Sequence, residues 1–271
     1  MFLDEHRLRI GTTDFYCAFP LTDAPPGLLP VMKDRGLVER YIALTEGLEL
    51  STLVELGIRR GGSTALLAEL TDPDTLVALE IHPTPAPALT DYIDRRGLGG
   101  VVRPFYGVDQ SDRASLVTIL AAELGDRPID LVIDDASHRF HETRSSFETL
   151  FPRLRPGGKF VIEDWNGDHL VGDLIVHALQ DPARTDHREI AEQLEALRSA
   201  ERADAGAREI PLTHLAVELL LARASSGDAI REIEINGEWV TIERGADPLD
   251  PETFRLSELV HDHFGFLGPE R

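Results

Sequence analysis

From Ser51 onward, short unbroken apolar runs alternate with stretches of helical character, and this alternation most narrows the folds open to the chain. STLVEL (51–56) reads as a buried strand, STALLAEL (63–70) as a helix and TLVALEI (75–81) as a second strand. A proline-rich turn precedes a helix around Ala88–Arg96. VVRPFYG (101–107), a helix over Ser115–Leu124 and IDLVIDD (129–135) follow. The helical HETRSSFETLFPRL then leads through the RPGG turn (155–158) into the strand KFVIEDW (159–165). Continuous apolar strands separated by helices are what a parallel sheet covered on both faces requires. Near the end, AIREIEI and EWVTIERG flank Asn236-Gly237, a strong two-residue hairpin signal. The expected fold class is α/β: a doubly wound, Rossmann-like sheet, mostly parallel, closed by a C-terminal antiparallel hairpin.

A chain of 271 residues can bury one substantial core. Residues 1–30 read as irregular lead-in, in which Phe15, Tyr16 and Phe19 precede Pro25, Pro26 and Pro30. A helix is expected from Val31 to Gly47, with Leu37, Tyr41 and Leu44 on one face. The organisation is therefore a lead-in and helix over 1–48, a main domain over 49–250 and a tail over 251–271. Within the main domain, a strand-free helical insertion is expected at about 166–224, highly charged from Ala183 to Glu209 and apolar in PLTHLAVELLLA (211–222). Its first part, from about Asp168 to Glu209, is expected to be more mobile than the sheet. The 48 acidic against 27 basic residues give a formal net charge of −21. That balance argues against nucleic acid or an anionic membrane as partner, because both need a cationic face. The single Cys17 excludes an internal disulfide framework and a cysteine-cluster metal site. No apolar run has signal-peptide or membrane-spanning character, so the cytoplasm is the expected location.

The loop Glu55-Leu-Gly57-Ile-Arg-Arg-Gly61-Gly62-Ser63 joins the first strand of this series to its helix. Gly57 permits a tight turn, and Gly61-Gly62 let a ligand approach the backbone at a helix N-terminus. Glu80 ends the next strand, where a carboxylate can take both hydroxyls of a ribose. A dinucleotide fingerprint needs glycine at position 59, which is arginine here. The loop and Glu80 together thus describe a site for an adenosine-containing cofactor, with a dinucleotide disfavoured. Asp109-Gln110, after the third strand, lies where adenine contacts or a solvated turn are both expected. Ser63 follows a glycine pair but lacks a nucleophile-elbow motif, which leaves a hydrolase little support.

Asp134, Asp135, Glu163 and Asp164 stand at the carboxyl ends of two strands that are neighbours in this fold, about 5 Å apart. Ligands collect at such ends. Carboxylates this close repel one another unless a proton or a cation intervenes. Capping of the following helices explains one such pair. Two pairs beside a cofactor loop point to a hard cation, Mg²⁺ or alternatively Ca²⁺ or Mn²⁺. His138, in the same turn as Asp135, is either a surface bystander or a base able to take a proton from a hydroxyl near neutral pH. His261-Asp262-His263 is metal-like in composition but lies near the C-terminus.

These segments resemble the metal-dependent sugar O-methyltransferases of macrolide biosynthesis, the mycinamicin and macrocin type. That group includes rhamnosyl O-methyltransferases and proteins labelled cephalosporin hydroxylase. The resemblance covers roughly Leu50 to Gly245 and rests on VELGIRRGGS, the DQSD at 109–112, IDDASH, the LRPGG–VIED segment and the hairpin ending in IERG. It implies a class I methyltransferase sheet and S-adenosylmethionine as cofactor. It also implies Asp135, Glu163 and Asp164 as ligands of a divalent cation, Mg²⁺ first, and His138 as general base, with Asp135 the ligand shared with catalysis. Glu55, Gly57, Ser63, Glu80, Asp109, Gln110 and Asp134 would line the cofactor site. The sequence departs from the family in having DDASH for DDGSH and in Val108, which interrupts the usual GDQ. The large additional N-terminal domain of some relatives is not expected, and a homo-oligomer stays open.

The expected reaction is methyl transfer to a hydroxyl of a sugar or glycosylated natural product, a small-molecule acceptor walled by the lead-in and the 166–210 insertion. Two rivals remain: a nicotinamide-dependent oxidoreductase, disfavoured by Arg59, and a non-catalytic metabolite-binding protein of the same fold.

Overall fold

The computed structural model describes residues 1–19, 24–167, 169–170, 210–237 and 239–261. Its centre is a seven-stranded sheet, ordered β6-β5-β4-β7-β8-β10-β9. The strands are β4 (Thr52–Leu56), β5 (Thr75–Glu80), β6 (Val102–Tyr106), β7 (Ile129–Asp134), β8 (Leu154–Glu163), β9 (Ile230–Asn236) and β10 (Trp239–Arg244). The first five pair in parallel, while β10 is antiparallel to both β8 and β9. All five residues of β4 are buried, as a central strand covered on both faces demands. The strand order reverses beside β4, and there the ends of β4 and β7 open toward a ligand.

Helices α2 (Gly62–Thr71), α3 (Pro87–Arg96), α4 (Arg113–Leu124) and α5 (Phe140–Leu150) make the crossovers. The Asp112 side chain accepts from the Ala114 and Ser115 amides, satisfying the start of α4. One apolar core joins α4 and α5 to α6 (Thr213–Ser225) beneath the sheet, around Phe147, Phe151 and Phe160. The other lies beneath α2, α3 and α1 (Arg35–Thr45).

The N-terminal segment is not irregular. Arg7–Ile10, Thr13–Cys17 and Leu29–Val31 form strands β1, β2 and β3 of a small separate sheet. Strand β2 alternates buried and half-buried residues and places Phe15 in the core. The first helix is also shorter than expected. Asp34 caps it by accepting from the Leu37 amide, so residues 31–34 are its approach and not its first turn. The RPGG segment is strand and not turn: β8 runs through it, with its pairing to β7 shifted between Ile129 and Leu131. The expected mobile stretch 168–209, apart from residues 169–170, lies outside the described residues, as do Asp262 and His263. Among the described residues no helix is long and apolar enough to cross a membrane.

The small sheet is pressed against the main body at one close approach. A Cβ added to Gly62 would lie 2.0 Å from the Pro30 carbonyl oxygen of β3. Gly62→Ala should therefore cost about 1–3 kcal/mol of stability, the usual penalty for overpacking. Gly100→Ala, which faces open space, should cost far less in the same urea denaturation. Equal losses would show that the approach is not tight in solution.

Candidate active site

Two loops at the reversal point build the site. Asp135 N donates to Leu56 O at 3.0 Å and Gly57 N to Leu79 O at 2.8 Å, so the chain ends of β4, β5 and β7 stay joined beyond the sheet. Gly57 has φ +96°, and a Cβ there would meet the Asp135 carbonyl oxygen at 2.2 Å. Glycine is required at 57 both for that backbone conformation and for that contact. The expected reason for the glycine pair is different from the one found. The space opposite Gly61 is filled by Leu89 of α3 and that opposite Gly62 by Pro30, so protein packs there.

A cavity of about 510 Å³ opens along the ends of β4, β5 and β6, bordered by Gly57, Glu80, Asp109, Gln110 and Ser137. That volume suits a small-molecule or cofactor site. Glu80 Oε2 accepts from the Ile58 and Arg59 amides at 3.1 and 2.7 Å, and Oε1 from the His82 amide at 2.9 Å. The carboxylate is thus locked to the glycine loop while still bordering the cavity. Asp109 is exposed and closes its own turn through Ser111. Ser63 is half-buried at the start of α2.

Glu55 is fully buried. The Thr64 hydroxyl donates to Oε2, and Oε1 has no hydrogen-bond partner. Burial pushes this carboxyl up to about 7, against the Ser63 and Thr64 hydroxyls and Lys33, which act to lower it. Asp134 does not border the cavity. It is buried against Gln110 Nε2, at 3.1 and 3.0 Å, and the Ser146 hydroxyl, at 2.6 Å. Gln110 Oε1 in turn accepts from the Ser137 amide at 2.9 Å, so this pair fixes the turn carrying the cavity wall.

The acid turn itself is strained. His138 and Asp164 have φ of +54° and +51°, a region that non-glycine residues rarely adopt. These backbones aim three side chains together: ligand atoms of Asp135, His138 and Asp164 all lie within 4.8 Å of one another. His138 Nε2 is 3.8 Å from Asp135 Oδ1 and 3.9 Å from Asp164 Oδ2, beyond hydrogen-bond distance. Burial raises the Asp164 carboxyl above its ordinary value, with Asp135 adding to the shift.

Glu163 stands apart from this cluster. Its Oε2 accepts from Lys33 Nζ at 2.8 Å and its Oε1 from the Tyr41 hydroxyl. Lys33 also donates to Asp135 Oδ2 at 2.7 Å. Burial pushes the Glu163 carboxyl up, against the Lys33 ammonium and the Tyr41 hydroxyl, which act to lower it. Burial also works against the Lys33 charge, and Glu163 and Asp135 outweigh it, holding the ammonium above its ordinary value. Lys33 and Tyr41 are the site residues that sequence reading misses. A buried charge needs a partner, but only the fold shows where Lys33 is buried. Tyr41 reads simply as one apolar position on a helix.

Residues 54–165 match the family described as a methyltransferase domain. Over 176 residues the chain is 32% identical to 8-demethyl-8-alpha-L-rhamnosyl tetracenomycin-C 2'-O-methyltransferase of Streptomyces olivaceus, covering 52% of this chain and 43% of that one. The similarity of this segment is to O-methyltransferases. The chain is also 55% identical over 56 residues to demethylmacrocin O-methyltransferase of Streptomyces fradiae, covering 21% of this chain and 13% of the relative. The matches thus span less than half the length of these curated relatives. The SAH-bound methyltransferase PaMTH1 of Podospora anserina shares the fold, with a TM-score of 0.52, 17% identity and 80% of each chain covered.

Burial holds the Asp134 carboxyl near 6, above its ordinary 3.8, against the Ser146 hydroxyl, His138 and Gln110, which lower it. Between those values the folded protein keeps a proton that the unfolded chain has released, so rising pH works against folding across that window. Asp134→Asn should remove this slope. Relative to the variant, the wild type should lose about 1–3 kcal/mol between pH 4 and pH 7 in urea denaturation. A difference that does not change with pH would show that Asp134 ionises without penalty.

Proposed function

We propose that this methyltransferase moves the methyl group of S-adenosylmethionine to a hydroxyl of a sugar or glycosylated natural product, with a divalent cation, Mg²⁺ in the first instance, at the acid turn. The observation that carries this reading is the convergence of Asp135, His138 and Asp164 beside the cavity of Gly57, Glu80 and Ser137. The names of the relatives, which act on a rhamnosyl tetracenomycin and on demethylmacrocin, support the acceptor class.

The residues fit both groups. The orphaned Glu55 Oε1, buried where the first strand meets the glycine loop, suits the cationic end of the cofactor. Glu80, pinned at the cavity edge, suits a ribose diol. The carboxylate oxygens of Asp135 and Asp164 suit a hard divalent cation. Asp135 and Asp164 would hold that cation, joined by Glu163 when Lys33 yields it. When bound, the cation would lower the pKa of an acceptor hydroxyl, and S-adenosylmethionine would supply the reactive methyl group.

The chain's own residues supply alignment and a place for the proton. His138 Nε2, too far from either aspartate to be engaged, is free to take the hydroxyl proton. Asp135 and Asp164 then face the resulting imidazolium and stabilise it. The strained turn fixes the imidazole relative to the cavity. The N-terminal segment, which brings Lys33 and Tyr41 to the acid cluster, would wall the acceptor.

Calorimetry should show binding of S-adenosylhomocysteine in preference to NAD, weakened by about 1–3 kcal/mol in Glu80→Ala. Tight NAD binding with no response to S-adenosylhomocysteine would end this reading. Turnover of a polyhydroxylated acceptor should require a divalent cation and recover after chelation and re-addition. Full activity in chelator would leave the acids without a cation. His138→Ala should keep cofactor binding while turnover falls about 10²–10⁴-fold, the usual contribution of a general base. A variant retaining more than about a tenth of wild-type turnover falls short of that range and would move the proton acceptor elsewhere.

A further inference from the structure

The Lys33 ammonium is only 4% exposed, yet it sits between two carboxylates of the proposed cation site. We propose that Lys33 is the resident counter-cation of the acid cluster, a positioning residue that holds Asp135 and Glu163 in place and competes with the divalent cation for their oxygens, thereby setting how tightly that cation binds. The proposal rests on the cation part of the proposed function and adds the residue that governs it.

The geometry is specific. Lys33 occupies Asp135 Oδ2 and Glu163 Oε2, and Tyr41 occupies the second oxygen of Glu163. Asp135 Oδ1 and Asp164 Oδ2 are left facing His138. Three carboxylates and one ammonium leave a net charge of minus two, which one divalent cation balances. The ammonium is also held from behind, 5.1 Å from the centroid of the Tyr41 ring.

The main chain of Lys33 is fixed from both sides. Val31 pairs with Cys17 in the small sheet, and Asp34 caps α1. Any withdrawal of the ammonium is therefore left to the side-chain torsions. Of 27 basic residues in the sequence only Lys33 and Lys159 are lysine. A lysine suits this position because its charge is compact and its stem flexible, so it can withdraw, whereas a guanidinium fork would grip two carboxylates in a fixed plane.

The test is calorimetric titration of Mn²⁺ and of Mg²⁺ into the full chain, without acceptor or turnover. Loss of a positive charge this close to a divalent ion should tighten binding at least roughly tenfold in Lys33→Met. Tyr41→Phe, which removes a donor to Glu163 without changing charge, should shift affinity much less. Lys33→Arg should stay near or above the wild-type dissociation constant. The melting temperature of Lys33→Met should fall in chelator and recover with Mn²⁺ by more than the wild type gains.

A Lys33→Met protein that folds only when cation is present would support the proposal. If it folds in neither condition, Lys33→Gln, which keeps a donor, replaces it with the same expectation. Cation binding by Lys33→Met but not by wild type would be the strongest support. Wild-type binding that is unchanged or weakened in the variant would overturn the proposal and leave the cation site standing. No binding by either protein would overturn both. S-adenosylhomocysteine binding to the wild type, measured alongside, tests the methyltransferase reading separately.

Discussion

Everything in the site depends on how closely the ends of β4 and β7 approach. The Gly57 α-carbon lies against the Asp135 carbonyl, with no room for a side chain between them. This contact fuses the cofactor loop and the acid turn into one rigid corner. A sheet alone would hold the two strands at their normal spacing and leave their loops to diverge. Here the bonds from Gly57 to Leu79 and from Asp135 to Leu56 continue the lattice past the last paired residues. The spacing between the Gly57 loop and the acid cluster is therefore set by the backbone, with few side-chain torsions able to change it.

On that corner the protein concentrates charge that it can stabilise only in part. Glu55, Asp134 and Glu163 are all buried, and burial raises each of them. Each has a different remedy. Asp134 has Gln110 and Ser146, and Glu163 has Lys33 and Tyr41. Glu55 keeps one oxygen without a partner. Two of these acids are thus hydrogen-bonded at both oxygens, and Glu55 at one.

The main sheet was legible because its strands are covered on both faces, so STLVEL and IDLVIDD appear as unbroken apolar runs. The Asn236-Gly237 hairpin was legible because a tight turn has a local chemistry. The small N-terminal sheet was not, since β1 to β3 are short, interrupted by prolines nearby, and gain their burial from distant partners. At the site, the acids at the ends of β7 and β8 could be found from their position in the alternating pattern. The reason for Gly62 could not, because the group that excludes a side chain there belongs to Pro30, in another part of the chain. Nor could Lys33 be found, whose partners lie 102 and 130 residues away. Asp134 and Asp135 look equivalent in sequence, yet the pleat sends one inward to Gln110 and the other toward Lys33 and His138.

The tie from Lys33 to Glu163 also bears on what counts as a unit of this protein. Similarity to the methyltransferase family begins at residue 54, and a boundary drawn there would seem to isolate the whole catalytic module. Electrostatically it would cut the module in half. A fragment starting at that point would bury Glu163 with neither its ammonium nor its phenol. The N-terminal segment thus supplies in cis the charge that faces Glu163 and Asp135. The first 53 residues are therefore electrostatically part of the sheet's acid corner, although the matched segment starts after them.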